Sequence, residues 1–248
     1  MRKSVMIAAA CICAMIAAQA HAMTITAYYS DFDAAAIVAP GVTASLTGGL
    51  VQPVQGLAGL GNGGNVFGGS FLSSFDPLFG PTNAATLTLT NLPVHSSINI
   101  TGLLAAMDTW DSDAGGICCN PDLFQILVDG PVAFQDTYNN IQGDNNNINL
   151  LTDIGAGYQE RGFNTFGTFP DQAFDLENEL ANILHSSSTL TITFIGTGDG
   201  WEFGDNESWG IDNLLVALNG VADVPEPVTL TLFGAGLLGV GAMRRRGK

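Results

Sequence analysis

The feature that most constrains the fold is a series of short apolar runs divided by turn residues. The run Thr86–Thr90 alternates Thr with Leu, and this period of two is typical of a strand with one buried face. Asp129-Gly130 favours a tight turn, so Leu123–Phe134 is predicted to form a hairpin. Further strands are predicted at Ser97–Leu104, Leu123–Val128, Ile148–Leu151, Thr189–Ile195 and Ile211–Leu218, and a further turn at Asp144–Asn147. Many short strands at regular spacing predict an all-β chain, folded as a two-sheet antiparallel sandwich of the jelly-roll type.

Two segments depart from this pattern. Residues 48–70 are rich in glycine, which predicts a long loop or a loose edge region rather than a linker between domains. Asp175–His185 is predicted as one short helix, because several of its apolar residues recur on one side. These residues are Leu176, Leu180, Ile183 and Leu184. About 200 residues between positions 23 and 222, without an internal repeat, are expected to form a single domain.

The segment 223–248 has the layout of a processing signal. Val224-Pro225-Glu226-Pro227 is followed by the uncharged stretch Val228–Met243, and then by a basic stop of Arg244, Arg245, Arg246 and Lys248. Sixteen helical residues span about 24 Å, short of the roughly 30 Å hydrocarbon core of a bilayer. The basic residues would stay on the cytoplasmic side. A plain C-terminal membrane anchor is the alternative interpretation.

These three parts, in this order, resemble the PEP-CTERM sorting signal. Pro225, Glu226 and Pro227 would be the sorting motif, and Arg244–Arg246 the basic stop. The resemblance implies an inner-membrane-tethered precursor in a Gram-negative bacterium, recognised by an exosortase. It also implies removal of the tail and delivery to the cell surface or extracellular matrix.

Residues 1–22 have the composition of a secretory signal peptide. Arg2 and Lys3 precede an apolar run from Val5 to Ala18, which is expected to be helical. Ala20-His21-Ala22 has the small residues of a cleavage site. Cleavage there would make Met23 the new N-terminus.

Loss of both terminal segments would change the charge of the protein sharply. Arg161 would remain as the single basic residue against 23 acidic residues, a net charge of −22 if Glu226 is retained. Nucleic acid is excluded as a partner, because such binding needs Lys and Arg to release counterions. Carboxylates without basic partners attract divalent cations, and their hard oxygens favour Ca²⁺. The alternative is a solvated acidic surface that keeps an exported protein soluble.

The loop Asp111–Asp122 carries part of a calcium-binding pattern. Counted from Asp111, acidic residues occupy positions 1, 3 and 12, the last two being Asp113 and Asp122, and Gly116 occupies position 6. Position 5 is Gly and no helices are predicted on either side, so the loop is not an EF-hand. An Asp-rich loop with a Gly turn can still wrap a calcium ion. The alternative is that these residues hydrogen-bond their own backbone in turns.

The three tryptophans, Trp110, Trp201 and Trp209, each lie beside an acidic loop. Trp201 and Glu202 combine an aromatic face with a carboxylate, which suits a sugar because the ring stacks and the acid accepts hydroxyl protons. The sequence therefore offers Trp110, Trp201, Glu202 and Trp209 as candidate ligand-binding residues. The alternative is that the tryptophans are core residues of the sandwich and the acids are exposed.

A second resemblance covers residues 86–218. Trp110-Asp111, Pro121–Phe124, Val128–Gly130 and Glu207–Asn213 recur in this order in secreted bacterial jelly-roll domains, similar to carbohydrate-binding modules and to other PEP-CTERM surface proteins. The resemblance implies that an Asp in the last strand ligates a structural Ca²⁺. In this chain that role would fall on Asp212.

Cys118 and Cys119 are the only cysteines outside the signal peptide. An oxidising compartment favours a bond, and adjacent residues can bridge only in a strained eight-membered ring. A vicinal disulfide, free or intermolecular thiols, and metal ligation stay open as alternatives. Two adjacent cysteines lack the spaced ligand set of a zinc site.

No catalytic motif is recognisable in the sequence. Residues 23–222 contain no Lys, and the chain has no His-Glu-x-x-His motif and no nucleophile elbow. Glu202 with Glu207 is the one carboxylate pair that would suit glycoside hydrolysis. We therefore expect a non-catalytic surface or matrix protein, calcium-stabilised and associated with exopolysaccharide. The alternatives are a dedicated carbohydrate-binding module and a glycoside hydrolase that uses these two glutamates.

Overall fold

The computed structural model describes residues 22–54, 58–62, 64–74, 83–110, 121–140, 171–176, 179–202 and 207–222. Within these ranges the chain forms fifteen β-strands and no helix. In chain order the strands are β1 Ala22–Ser30, β2 Ile37–Val38, β3 Thr43–Gly48, β4 Leu50–Pro53, β5 Gly61–Asn62, β6 Asn65–Val66, β7 Ser70–Ser73, β8 Ala84–Thr90, β9 Ser97–Asp108, β10 Leu123–Val128, β11 Val132–Asp136, β12 Gln172–Asp175, β13 Ile183–Leu184, β14 Thr189–Thr197 and β15 Glu207–Ala222. Residues Met23–Val221 form one compact unit.

The first sheet has eight strands and is built around β9 and β15. Its main order is β12-β9-β15-β1-β2, with β13 also beside β9, and with β7 between β15 and β4. β9 and β15 pair antiparallel from Asp108 opposite Glu207 to Ser97 opposite Asn219. The register shifts between Asp212 and Leu215, and such a bulge re-aims the side chains around it. Asp212 therefore lies at an irregular point of an otherwise regular sheet.

The second sheet has five strands in the order β11-β10-β14-β8-β3, and its described pairs are antiparallel. β8 shows the alternation predicted from its Thr-Leu repeat, with Leu87 and Leu89 fully buried. On the opposite face, Thr86 Oγ1 lies 2.9 Å from Thr193 Oγ1 of β14. Cross-strand threonine pairs of this kind stabilise a sheet.

One hydrophobic core lies between the two sheets. Ile100, Leu104 and Val216 of the first sheet belong to the same buried cluster as Ile126 and Phe194 of the second. Full burial of one such side chain contributes about 1.5–3 kcal/mol. These contacts confirm the predicted all-β antiparallel sandwich. Its assignment to the jelly-roll type stays a prediction.

Most of the predicted strands are confirmed. The runs at 86–90, 97–104, 123–128, 189–195 and 211–218 all lie within observed strands. β10 and β11 form the predicted hairpin, and Asp129 and Gly130 at its turn have φ angles of 51° and 103°. Positive φ at both central residues is what a type I′ turn requires. The predicted strand Ile148–Leu151 and the predicted turn Asp144–Asn147 lie outside the described residues.

The described residues of the segment predicted as a short helix, 175–176 and 179–185, contain no helix, and parts of them pair with the edge of the first sheet. Asp175 ends β12 opposite Leu103, and Ile183 in β13 lies opposite Ile98. The Leu176 amide donates to the Gly102 carbonyl and the Leu180 carbonyl accepts from the Ile100 amide, each at 3.0 Å. The helix prediction is wrong because backbone groups on both sides of the segment hydrogen-bond to the edge strand β9, as in a sheet.

The glycine-rich region 48–70 contains short strands among its described residues. β4 pairs with β7, and β5 pairs with β6 in a separate two-stranded sheet. Phe67 and Phe71 pack against Leu103 and Met107 in a second buried cluster. This cluster includes the β9 side chains that point away from the main core, so the region covers the outer face of the first sheet. A Cβ at Gly210 would overlap the Phe71 ring, which explains a glycine within β15.

Candidate functional site

Buried polar side chains gather at one end of the first sheet, where β9 ends and where β12 and β15 begin. Asp108 lies opposite Glu207 across the β9–β15 pair, and its amide donates to Asp171 Oδ1 at 2.9 Å. Asn140 Nδ2 donates to the Ala106 carbonyl at 3.0 Å, and Gln172 lies opposite Ala106. We call these five side chains the polar end: Asp108, Asn140, Asp171, Gln172 and Glu207. All of them are buried.

The polar end contains hydrogen-bonding capacity that the described residues do not use. Asn140 Oδ1 and Gln172 Oε1 are buried acceptors without a hydrogen-bond partner in the described part of the chain. Their amide nitrogens, by contrast, donate to the carbonyls of Ala106 and Asn139. Because a buried polar atom is usually paired, these two oxygens mark places where a water molecule or a ligand could donate.

Trp110 and Trp209 are core residues. Both are fully buried, and Trp110 Nε1 donates to the Ser208 carbonyl at 2.8 Å. Trp209 packs against Phe124 and Phe194, with ring centroids 5.7 and 6.2 Å apart. Their faces are therefore occupied by protein, and they support the polar end from within the sandwich.

Trp201 and Glu202 lie nearer the surface. Trp201 is half-buried, packs 5.0 Å from the Trp110 centroid, and rests on Gly196, where a Cβ would overlap its ring. Its Nε1 is buried and has no hydrogen-bond partner among the described residues. Glu202 is exposed, and its amide donates to the buried Glu207 carboxylate. Of the three tryptophans, Trp201 is thus the one with surface left for a ligand.

Asp212 is a buried carboxylate in the bulge of β15. Its Oδ2 accepts from the Gly68 amide at 3.1 Å, and its Oδ1 accepts from the Asn213 amide at 2.7 Å. Burial raises the pKa of Asp212 from 3.8 to about 7; the two backbone amides lower it, while Asp33 and Asp31 raise it further. The described residues place no Lys or Arg beside it, since every Lys and Arg of the chain lies outside them.

Asp31 and Asp33 were missed by the sequence analysis, although they are the acidic neighbours of Asp212. They follow β1, where Asp31 Oδ1 accepts from the Asp33 amide at 3.2 Å. The Asp33 carboxylate lies against Gly69, which has a φ of 54° and where a Cβ would overlap it. Burial and the charges of Asp31, Asp212 and Asp33 raise the pKa of Tyr29. The sequence signals for this acidic site are the Asp-x-Asp pattern of Asp31 and Asp33 after a strand and the glycine pair Gly68-Gly69.

Of the other predicted calcium ligands, the structure describes only Asp122. Asp122 is buried at the start of β10, whereas Asp111 and Asp113 lie outside the described residues, as do Cys118 and Cys119. Within the described ranges, no three His, Cys, Asp or Glu side chains already converge in a metal-binding arrangement. An ion beside Asp212 would therefore need backbone or water oxygens among its ligands.

The predicted sorting residues, Pro225–Pro227 and Arg244–Arg246, lie outside the described residues. In the part of the chain that is described, no helix is long and apolar enough to cross a membrane.

Comparison with known proteins bears mainly on this tail. No curated protein matches the sequence. Among solved structures, the Stig cyclase Fisc from Fischerella sp. TAU is 15% identical, with 82% of this chain and 92% of that chain covered and a TM-score of 0.27. A chain of the T13 IBDV viral particle is 14% identical, with 74% of this chain and 32% of that chain covered and a TM-score of 0.25. At these TM-scores neither comparison establishes a shared fold. Residues 223–246 match the family model of the PEP-CTERM protein-sorting motif, and this match supports an exported protein that is sorted by an exosortase.

Proposed function

We propose that this chain is a non-catalytic, calcium-stabilised protein of the bacterial cell surface or extracellular matrix, held there in association with exopolysaccharide. The observation that carries the proposal is the PEP-CTERM motif at residues 223–246. A sorting tail joined to a β-sandwich gives an exported domain with a removable membrane tether. The sandwich would be the part that acts outside the cell.

The charge of the chain supports this location. Removal of the two terminal segments would take away six of the seven basic residues and leave Arg161. A domain with this charge does not bind anionic polymers or anionic lipid surfaces by electrostatic attraction. Cations and neutral glycans are the partners that its surface favours.

Calcium is the cofactor that suits Asp212. Asp212 is buried, and Asp31 and Asp33 are two more carboxylates whose charges act on it. An ionised carboxylate that is buried without a counter-charge destabilises the fold. Carboxylate and carbonyl oxygens are the ligands that Ca²⁺ prefers, and six to eight of them are needed. Asp212 and Asp33 would then be protein ligands, with backbone carbonyls and water completing the shell.

The loop Asp111–Asp122 remains the second candidate calcium site. Asp122 is the one of its acids that the structure describes, and it is buried at the start of β10. A calcium titration that retains one binding event after Asp212→Asn would assign the remaining site to this loop.

Carbohydrate binding is the second candidate function, and the polar end is the observation that favours it. Trp201 has an unpaired Nε1 donor, and Asn140 Oδ1 and Gln172 Oε1 are unpaired acceptors in the described part of the chain. Trp201 packs on Trp110, whose carbonyl accepts from the Asn140 amide at 3.0 Å, so donor and acceptors belong to one region. Sugar hydroxyls both donate and accept, and they could satisfy such a mixed set. Glycoside hydrolysis by Glu202 and Glu207 would take place in this same region, because Glu207 belongs to the polar end.

Cell fractionation tests the proposed location. In cells that contain an exosortase, the protein should be found outside the inner membrane. In otherwise identical cells that lack the enzyme, it should accumulate in the inner-membrane fraction. An unchanged distribution between the two strains would contradict exosortase sorting.

A glycan array separates the two candidate functions. A general matrix protein should bind no single glycan selectively, whereas a carbohydrate-binding module should select one class and lose it after Trp201→Ala. Hydrolysis of a polysaccharide that is abolished by Glu202→Gln or Glu207→Gln would instead show an enzyme.

A further inference from the structure

His95 and His185 form a buried pair at the end of the sandwich where β9 begins. His95 lies in the β8–β9 connection and His185 directly follows β13. The two side chains are 4% and 9% exposed, and their rings are nearly parallel, with 20° between the ring planes and centroids 4.9 Å apart. His95 Nε2 lies 2.6 Å from His185 Nδ1, which is a hydrogen-bond distance.

The outward-facing nitrogen of each ring is next to oxygens that can only accept. His95 Nδ1 lies 2.6 Å from the Pro93 carbonyl oxygen. His185 Nε2 lies 3.2 Å from the Thr189 carbonyl oxygen and 3.1 Å from Asp129 Oδ2. Because carbonyl and carboxylate oxygens accept hydrogen bonds, both of these outer nitrogens must carry a hydrogen.

From this geometry we infer that the two facing nitrogens share one proton, so that the pair carries a single positive charge. If both rings were neutral, with their outer nitrogens protonated, two lone pairs would face each other at 2.6 Å. If both rings were charged, two N–H groups would face each other. One bridging proton is the state in which every close contact of the pair is a hydrogen bond.

Asp129 supplies the counter-charge and is itself held in place. Its Oδ1 accepts from the Thr191 amide at 2.8 Å and from Thr191 Oγ1 at 3.2 Å, while its Oδ2 faces His185. Residues 91–96 and 185–188, which surround the pair, contain no Asp, Glu, Lys or Arg. The described residues contain no Lys or Arg either. The proton shared by the two histidines is therefore a positive charge that no Lys or Arg side chain among these residues provides.

The bridged pair acts as a clamp between the two sheets. The pair joins the β8–β9 connection to the residues after β13, and Asp129 ties it to the β10–β11 turn of the second sheet. Loss of either ring would leave the buried nitrogen of the other ring without its partner, which costs stability.

Nitrogen NMR and thermal melting of the exported protein test this inference. The imidazole ¹⁵N spectrum at neutral pH should show three nitrogen-bound hydrogens for the two rings together, with His95 Nδ1 and His185 Nε2 both protonated. His95→Gln should lower the melting temperature by at least about 3 °C near neutral pH.

Ser186→Ala is the matched control, because Ser186 adjoins His185 and is exposed. This variant should melt like the wild type. A spectrum with only two nitrogen-bound imidazole hydrogens at neutral pH would overturn the inference, even if His95→Gln did not fold. A His95→Gln variant that melts at the wild-type temperature would also overturn it.

Discussion

Replacement of Asp212 by Asn should remove a pH dependence that the fold otherwise carries. The unfolded carboxyl ionises near pH 3.8, whereas burial raises the pKa of Asp212 in the folded protein to about 7. Between these values the folded state binds more protons than the unfolded state. The free energy of unfolding therefore decreases as pH rises through this window, and the loss is complete above about pH 7.

The size of the effect follows from the same shift. Each pKa unit corresponds to about 1.4 kcal/mol, so the rise from 3.8 to about 7 amounts to at most about 4 kcal/mol. In a domain of about 200 residues, 1 kcal/mol moves the melting temperature by about 2–4 °C. Metal-free protein should therefore melt up to about 8–16 °C lower at pH 8 than at pH 4 through Asp212 alone. Calcium at about 100 times its dissociation constant should restore about 2.7 kcal/mol at pH 8.

The assay is thermal melting at a series of pH values, in chelator and in calcium. Asp212→Asn should flatten the pH dependence in chelator and reduce the stability gained from calcium, whereas the exposed Asp199→Asn should behave like the wild type. An Asn side chain still accepts a hydrogen bond from one backbone amide but turns its NH₂ group toward the other amide. The readout is therefore the slope of the melting temperature against pH, rather than the absolute melting temperature. A wild-type slope that is flat in chelator would contradict the raised pKa of Asp212. An Asp212→Asn variant that still gains the wild-type stability from calcium would contradict a calcium site at this residue.

Three further predictions concern packing, binding and sorting. Gly196→Ala should destabilise the sandwich by about 1–3 kcal/mol and perturb the near-ultraviolet circular dichroism of Trp201, because a Cβ there overlaps that ring. Gly68→Ala should change stability by less than about 0.5 kcal/mol, since a Cβ at that position meets nothing within 4 Å. Trp201→Ala should weaken retention on exopolysaccharide in a pull-down with little loss of fold, whereas the fully buried Trp209→Ala should cost about 3–5 kcal/mol in denaturant unfolding. Glu226→Ala, in the sorting motif, should leave the protein in the inner-membrane fraction of a cell fractionation.

Local pattern was sufficient for the strands that carry the fold. The Thr-Leu alternation at residues 86–90 and the Asp129-Gly130 turn each depend only on neighbouring residues. Both appear in the structure where the sequence predicts them. The segment after Asp175 was misassigned for the opposite reason. Its apolar spacing also fits a helix, and only the free edge of β9, far away in sequence, decides that it extends as β13.

Side-chain partners that are distant in sequence could not be predicted in the same way. The resemblance of Glu207–Asn213 to secreted jelly-roll domains points to Asp212, but its acidic neighbours Asp31 and Asp33 lie some 180 residues earlier, shortly after the strand that pairs with β15. His95 and His185 are 90 residues apart, and neither has a local signature of a pair. Burial of Trp110 likewise depends on both sheets closing over it.

Exosortase sorting is tested by the intact mass of the protein recovered from outside the cell. That mass should lack residues 1–22 and the apolar and basic part of the tail after the Pro225–Pro227 motif. Recovery of a chain that still contains Arg244–Lys248, or recovery only from the inner membrane, would contradict it.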